Sequence, residues 1–243
     1  MTPHDPNRHH RRSIRLKGYD YTQPGAYFVT MCTQERAHLF GRVVDGAMAL
    51  NEYGEIVREE WFRSADVRPD VELHADEFVI MPNHVHGIIW IVEMGADGDG
   101  IVRAQRRCAP TMTNRGVTLN NVTSGSLGAI IRAFKSAVTR RINALRGTPG
   151  APVWQRNYYE HIIRTERALH AIRRYIAENP LRWHLDPYNP AATGHDPLAR
   201  DLWRILQADA RTRPDAARRG GEASPRPHQD DPPDDAAGGR RQV

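Results

Sequence analysis

Residues 78–91, Phe-Val-Ile-Met-Pro-Asn-His-Val-His-Gly-Ile-Ile-Trp-Ile, constrain the fold more than any other stretch of the chain. β-Branched and apolar residues dominate on both sides of Pro82-Asn83. This predicts short strands from Glu77 to Met81 and from Val85 to Val92, joined by a turn. Side chains alternate faces along a strand, so positions two apart point the same way. His84 and His86 therefore stand side by side, with Val85 turned to the opposite face. Two neutral imidazoles on a rigid strand suit a divalent metal ion. Taken alone, the pair fits two ordinary strand histidines equally well.

The surrounding pattern mixes strands and helices joined by hairpins. Ala26 to Thr33 reads as a strand after the Pro24-Gly25 turn signal, and Leu39 to Val44 and Ala47 to Leu50 flank the hairpin signal Asp45-Gly46. Asn51 can cap a helix running to about Phe62, and Val71 to His74 makes a further short strand. Ser126 opens a helix to about Arg146, with Leu127, Ile130, Ile131, Phe134, Val138 and Ile142 at helical spacing. Val153 to Ile163 reads as extended, and Thr165 caps a helix that ends at Asn179, before Pro180. This alternation fits an α+β sandwich better than a parallel α/β fold. Three regions stand outside that pattern: a disordered basic arm at 1–13, a Gly/Asn/Thr/Arg-rich insertion at 93–125 that is expected to be mobile, and a weak helix with a disordered tail at 191–243. The folded domain is expected to span 14–190.

Charge bears on the partner. The net charge is +5 and the excess is uneven: Arg8, Arg11, Arg12, Arg15 and Lys17 crowd the start, while Arg132 to Arg146 holds several cations and no acid. Such clustering is what neutralising phosphates requires, although a soluble protein of high-GC coding bias, in which Arg replaces Lys, accounts for it as well. Cys32 and Cys108 form no zinc pattern, and no apolar run approaches the roughly 20 residues needed to cross a bilayer. The expectation is a reduced cytoplasmic protein without a membrane partner.

Tyr175 and Asn179, at i and i+4 of the helix after Thr165, share one face a turn apart. Tyrosine can act as a covalent nucleophile, and a carboxamide oxygen can ligate a hard cation. Tyr175 also reads as a core aromatic beside Ala171 and Ile172, and Asn179 as a helix cap before Pro180.

Met81-Pro-Asn-His-Val-His86, Trp154-Gln-Arg-Asn-Tyr-Tyr-Glu-His-Ile-Ile-Arg164 and Tyr175-Ile-Ala-Glu-Asn-Pro180, in that order, resemble the single-tyrosine HUH transposases. The REP-associated tyrosine transposases are the nearest likeness, which covers about residues 13–186. The resemblance implies a ferredoxin-like antiparallel sheet flanked by helices. It implies Mg²⁺ or Mn²⁺ held by His84, His86 and Asn179, where relatives carry Gln or Asn four residues after the nucleophile. Tyr175 would attack a phosphodiester of single-stranded DNA, forming a 5′-phosphotyrosine and freeing a 3′-OH. The substrate would be a hairpin or palindromic repeat, and the enzyme a monomer or homodimer. His161 reads as an auxiliary near the metal or as a structural strand histidine. Arg12, Arg15, Lys17, Arg132, Lys135, Arg140 and Arg141 are candidate DNA contacts; Trp154, Tyr158 and Tyr159 are candidate base-stacking platforms or core aromatics. One rival is a domesticated, non-catalytic nucleic-acid-binding module. Another is a metal-dependent hydrolase, whose His-x-His pattern would continue with a third histidine at the position held by Ile88.

Overall fold

β1 (Gly25–Cys32) and β6 (His84–Ile91) pair antiparallel along their whole length, from Gly25 opposite Ile91 to Cys32 opposite His84. Around this pair the computed structural model, which describes residues 19–93 and 123–212, builds a five-stranded sheet. β7 (Tyr159–Ile163) adds antiparallel to the other side of β1. β4 (Val71–Glu72) and β5 (Phe78–Met81) lie end to end along the outer side of β6, separated by a 3₁₀ turn at Ala75–Glu77. With helices α1 (Glu52–Asp66) and α2 (Leu127–Arg146), the order β1-α1-β5-β6-α2-β7 gives the ferredoxin-like βαββαβ pattern, with sheet order β7-β1-β6-β5. The expected α+β class and antiparallel sheet are what the structure has.

Local signals account for the elements. Asp45 and Gly46 adopt φ of 50° and 74°, the left-handed pair that a two-residue hairpin between β2 (Gly41–Val44) and β3 (Ala47–Leu50) requires. The Asn51 side chain caps α1 at the Gly54 N–H, and Ser126 and Thr165 cap the helices that follow them. α1 runs four residues past Phe62, because Ser64 continues its buried face. Of the stretch 153–163, the last five residues join the sheet; before them Trp154 makes a single bridge to Thr33.

Alternation along the strands divides the interior into two layers. Tyr27, Val29, Met31, Val85, Ile89 and Ile91 face α1 and α2, packing against Trp61, Ile131 and Phe134. Ala26, Phe28 and Ile88 face the opposite way, onto α3 (Glu166–Glu178) and α4 (Pro197–Asp209), where Ile172, Tyr175, Leu202 and Leu206 are buried. The helix that composition reads as weak is thus packed on α3, and the compact unit continues to Thr212. The expectations for residues 1–13, for most of the 93–125 insertion and for the tail past 212 lie outside the described residues. Among the described residues, no helix is long and apolar enough to cross a membrane.

Candidate active site

The period of two that sets the core also sets the site. His84 and His86 sit on the α3 side of β6, with ring centroids 4.6 Å apart, and both are buried. Each ring is held at Nδ1: His84 by Asn83 Oδ1 at 2.8 Å and His86 by Thr30 Oγ1 at 2.8 Å. The orientation of Asn83 follows from its amide, whose Nδ2 donates to the carbonyls of Arg36 and Tyr188. Its Oδ1 is therefore an acceptor, His84 Nδ1 carries the hydrogen, and Nε2 keeps its lone pair.

α3 brings the second half. Ala168, Leu169, Ile172, Tyr175 and Ile176 are buried at intervals of three and four, which turns Tyr175 toward the sheet. Its ring lies 5.1 Å from that of His86 at 65°. Asn179 follows one turn later, and a 3₁₀ segment, Pro180–Leu185, then delivers Asp186 to the same place. Asp186 Oδ1 accepts from the Tyr188 N–H at 2.6 Å, while Oδ2 lies 3.7 Å from His84 Nε2. Donor atoms of His84, His86 and Asp186 all fall within 4.8 Å of one another. Sequence reasoning missed Asp186. It lies beyond the Pro180 break, where no periodicity ties it to Asn179, and its Asp-Pro pair reads as a turn.

Four buried polar atoms here lack any hydrogen-bond partner: His84 Nε2, His86 Nε2, Asn179 Oδ1 and Asp186 Oδ2. A buried orphan is costly, and the donor atoms of three of these residues, His84, His86 and Asp186, lie within 4.8 Å of one another, which calls for a common partner. Two imidazole nitrogens and a carboxylate make a donor set that a divalent cation can satisfy, so His84, His86 and Asp186 can hold a metal ion, and the Asn179 side chain is hydrogen-bonded to Asp186 beside them.

The electrostatics agree. Burial holds His84 well below its ordinary pKa, aided by His86 and Arg36, and lowers His86 to about 3, so both are neutral and ready to ligate. Burial raises Asp186 to about 6, against hydrogen bonds from Tyr188 and Asn179. Tyr175 is raised by burial first and then by the charge of Asp186, with an Asn179 hydrogen bond opposing. A bound cation favours the charged forms of both Asp186 and Tyr175.

The other expected residues divide. Tyr159 packs edge-on to Phe28 and, with Tyr175 and His86, lines a cavity of about 130 Å³. His161 is also on this side of the sheet, but its Nε2 meets Asp209 Oδ2 at 2.8 Å, in a network that includes the Arg164 N–H and Thr165 Oγ1 and ties α4 to the start of α3. Trp154 is buried in the other layer against Phe40 and Phe134. Tyr158 packs there too, beneath Lys135. Lys135 donates to the carbonyls of Gln155 and Asn157, and its pKa falls to about 8 through burial. Arg141 pairs with Glu59 and Glu60, whereas Arg132 and Arg140 are exposed. Arg12, Arg15 and Lys17 lie outside the described residues. A larger cavity of about 690 Å³ lies between α2 and residues 149–156, in the layer away from the histidines.

No protein-family model matches the chain. An uncharacterized protein of Haemophilus influenzae is 41% identical over 186 residues, spanning 76% of this chain and 96% of that protein. Among solved structures, a REP-associated tyrosine transposase bound to a REP hairpin is similar at a TM-score of 0.43 and 19% identity, over 79% of this chain and 88% of that one.

Proposed function

The chain belongs to the family of that Haemophilus influenzae protein, and we propose that it is a transposase of the REP-associated, single-tyrosine HUH type, which cleaves and rejoins single-stranded DNA. The observation that carries this reading is the meeting of four unpartnered donor atoms, on His84, His86, Asn179 and Asp186, beside the Tyr175 ring.

In this reading His84, His86 and Asp186 hold a divalent cation, Mg²⁺ or Mn²⁺, with Asn179 as a further oxygen donor. The cation supplies positive charge that offsets the charge building on the phosphate's non-bridging oxygens. Tyr175 Oη attacks the phosphorus. One P–O bond forms to tyrosine as the bond to the 3′-oxygen breaks; the phenol gives up its proton and the departing oxygen takes one up. Attack by a different 3′-OH reverses the step, so strand transfer needs no external energy source. Thr30 and Asn83 keep the two imidazoles oriented. Arg132 and Arg140, exposed on α2, are available to backbone phosphates. The substrate is hairpin-bearing or palindromic single-stranded DNA.

The test incubates the full chain and Mn²⁺ with hairpin-bearing oligonucleotides and looks for a denaturant-stable protein–DNA adduct. The adduct is expected with the natural chain and absent with Tyr175→Phe, which keeps its metal affinity. An adduct that persists in Tyr175→Phe refutes the assigned nucleophile. Tight binding without an adduct on any palindromic substrate favours the non-catalytic binding module.

A further inference from the structure

Tyr175 and His86 bound a cavity that extends away from the donor cluster toward α4. Its volume, about 130 Å³, is several times the roughly 30 Å³ share of one water molecule. Phe28 and Tyr159 line it from the sheet, and Leu202 and Trp203 from α4. The Trp203 ring lies 6.1 Å from Tyr159, tilted by 49°. Trp203 is the unexpected member. α4 buries Leu202 and Leu206 against α3, yet the indole next to Leu202 stays 52% exposed. An aromatic face left half in water beside a concave aromatic site is what a stacking platform for an unpaired base needs.

We propose that this cavity takes one unpaired nucleobase, that of the nucleotide immediately 3′ of the cleaved bond, stacked on Trp203 and Tyr159. The assignment rests on the tyrosine-nucleophile reading above. Displacement at phosphorus is in line, so the departing 3′-oxygen leaves on the side away from Tyr175. The nucleotide whose 5′-phosphate becomes attached to Tyr175 then stays near the tyrosine, where the cavity lies. Of the hydroxyl-bearing residues in the lining, Thr30, Tyr159, Tyr175 and Tyr188, Thr30 is engaged with His86 Nδ1 and Tyr175 is the assigned nucleophile. The rings of Phe28, Tyr159, Tyr188 and Trp203 make up much of the rest of the lining, so recognition is chiefly by ring stacking, which every base offers.

The test uses the full chain carrying Tyr175→Phe, which keeps the ring and holds the DNA uncleaved. Hairpin oligonucleotides carry 2-aminopurine at each unpaired position in turn. Quenching on binding is expected at one position. Trp203→Leu should abolish it and weaken binding about tenfold, while Trp203→Phe restores both. An abasic site at that position should cost the same tenfold, and nothing further in Trp203→Leu. Quenching and affinity that ignore Trp203→Leu overturn the proposal. With Tyr175 restored, a covalent adduct without any Trp203-dependent position overturns the cavity assignment alone. Trp203-dependent quenching without an adduct overturns the nucleophile alone, and failure to bind any oligonucleotide overturns both.

Discussion

Asn83 and His84, adjacent in the chain, share a 2.8 Å hydrogen bond that decides which imidazole nitrogen faces the donor cluster. Asn83 is fully buried, and its amide is fixed by donation to the carbonyls of Arg36 and Tyr188. Replacing it by alanine leaves His84 free to change tautomer and rotate. Partners of this kind typically contribute 10- to 100-fold to metal affinity, so Asn83→Ala should weaken Mn²⁺ binding by about that factor. Calorimetric titration checks this, with Thr30→Val as the matching change at His86. Unchanged affinity in both variants would mean that neither partner orients its ring.

Asp186 makes the opposite demand on the metal-free and metal-bound states. Its Oδ2 is buried without a partner, and burial already raises its pKa to about 6. Removing a buried, unpaired charge relieves a desolvation cost. Asp186→Asn should therefore leave the metal-free protein as stable as before, or more so. The same change should reduce Mn²⁺ affinity by about 100-fold or more, since a direct ligand matters at least as much as its supports. Urea unfolding with EDTA and with Mn²⁺ separates the two effects, because binding to the folded state stabilises it in proportion to affinity. Equal Mn²⁺ stabilisation of both proteins would remove Asp186 from the ligand set.

Acid should weaken the metal-free fold. His84, His86 and His161 all have pKa values below the ordinary 6.5, each mainly through burial. The unfolded chain takes up protons on them as pH falls through 6.5, while the folded chain refuses. Stability is therefore present above 6.5 and is lost on acidification below it. Asp186 acts in the other direction between about 6 and 3.8, where the folded state is the better proton binder. It offsets one of the three histidines, and the net effect remains destabilising. Each uncompensated proton lowers the folded-to-unfolded ratio by up to about tenfold per pH unit. Urea midpoints in EDTA should fall from pH 7 to pH 5, and His161→Gln should make the decline shallower. A flat profile would contradict the buried, neutral histidines.

The parts of this site that were legible in the sequence are those governed by a local period. Alternation along β6 put His84 and His86 on one face, and the helical repeat put Tyr175 and Asn179 on another. Caps at Asn51, Ser126 and Thr165 gave helix starts for the same reason: the residues that decide them are neighbours. Asp186 and Trp203 were not legible. The first reaches the histidines through a 3₁₀ turn after Pro180, whose direction no local pattern specifies. The second depends on α4 folding back onto α3, a tertiary contact anchored by Asp209 on His161 and Thr165. Trp154 illustrates the converse. An aromatic in a Pro- and Gly-flanked extended segment carries no mark of its side, and the fold turns this one into the core away from the histidines.

Gly87 couples the core to the site and gives the last prediction. It lies between His86 and Ile88 on β6, on the face that meets α1. A Cβ there would sit 2.5 Å from Cζ2 of Trp61 and 3.0 Å from Cδ2 of Phe78. Those two rings stack at 4.3 Å with an interplanar angle of 6°, and Trp61, which makes the closer contact, is buried and has no free space to retreat into. Gly87→Ala should cost about 1–3 kcal/mol, the usual range for overpacking a filled core. Because the strain falls on the residue joined to His86, β6 must shift or twist to relieve it. The spacing of the imidazoles should change with it. Mn²⁺ affinity is then expected to fall together with stability, unlike in Asp186→Asn, where affinity alone is lost. Thermal melting and metal titration on the same preparation distinguish the two. A destabilised Gly87→Ala protein that binds Mn²⁺ normally would mean that the sheet absorbs the strain before it reaches His86.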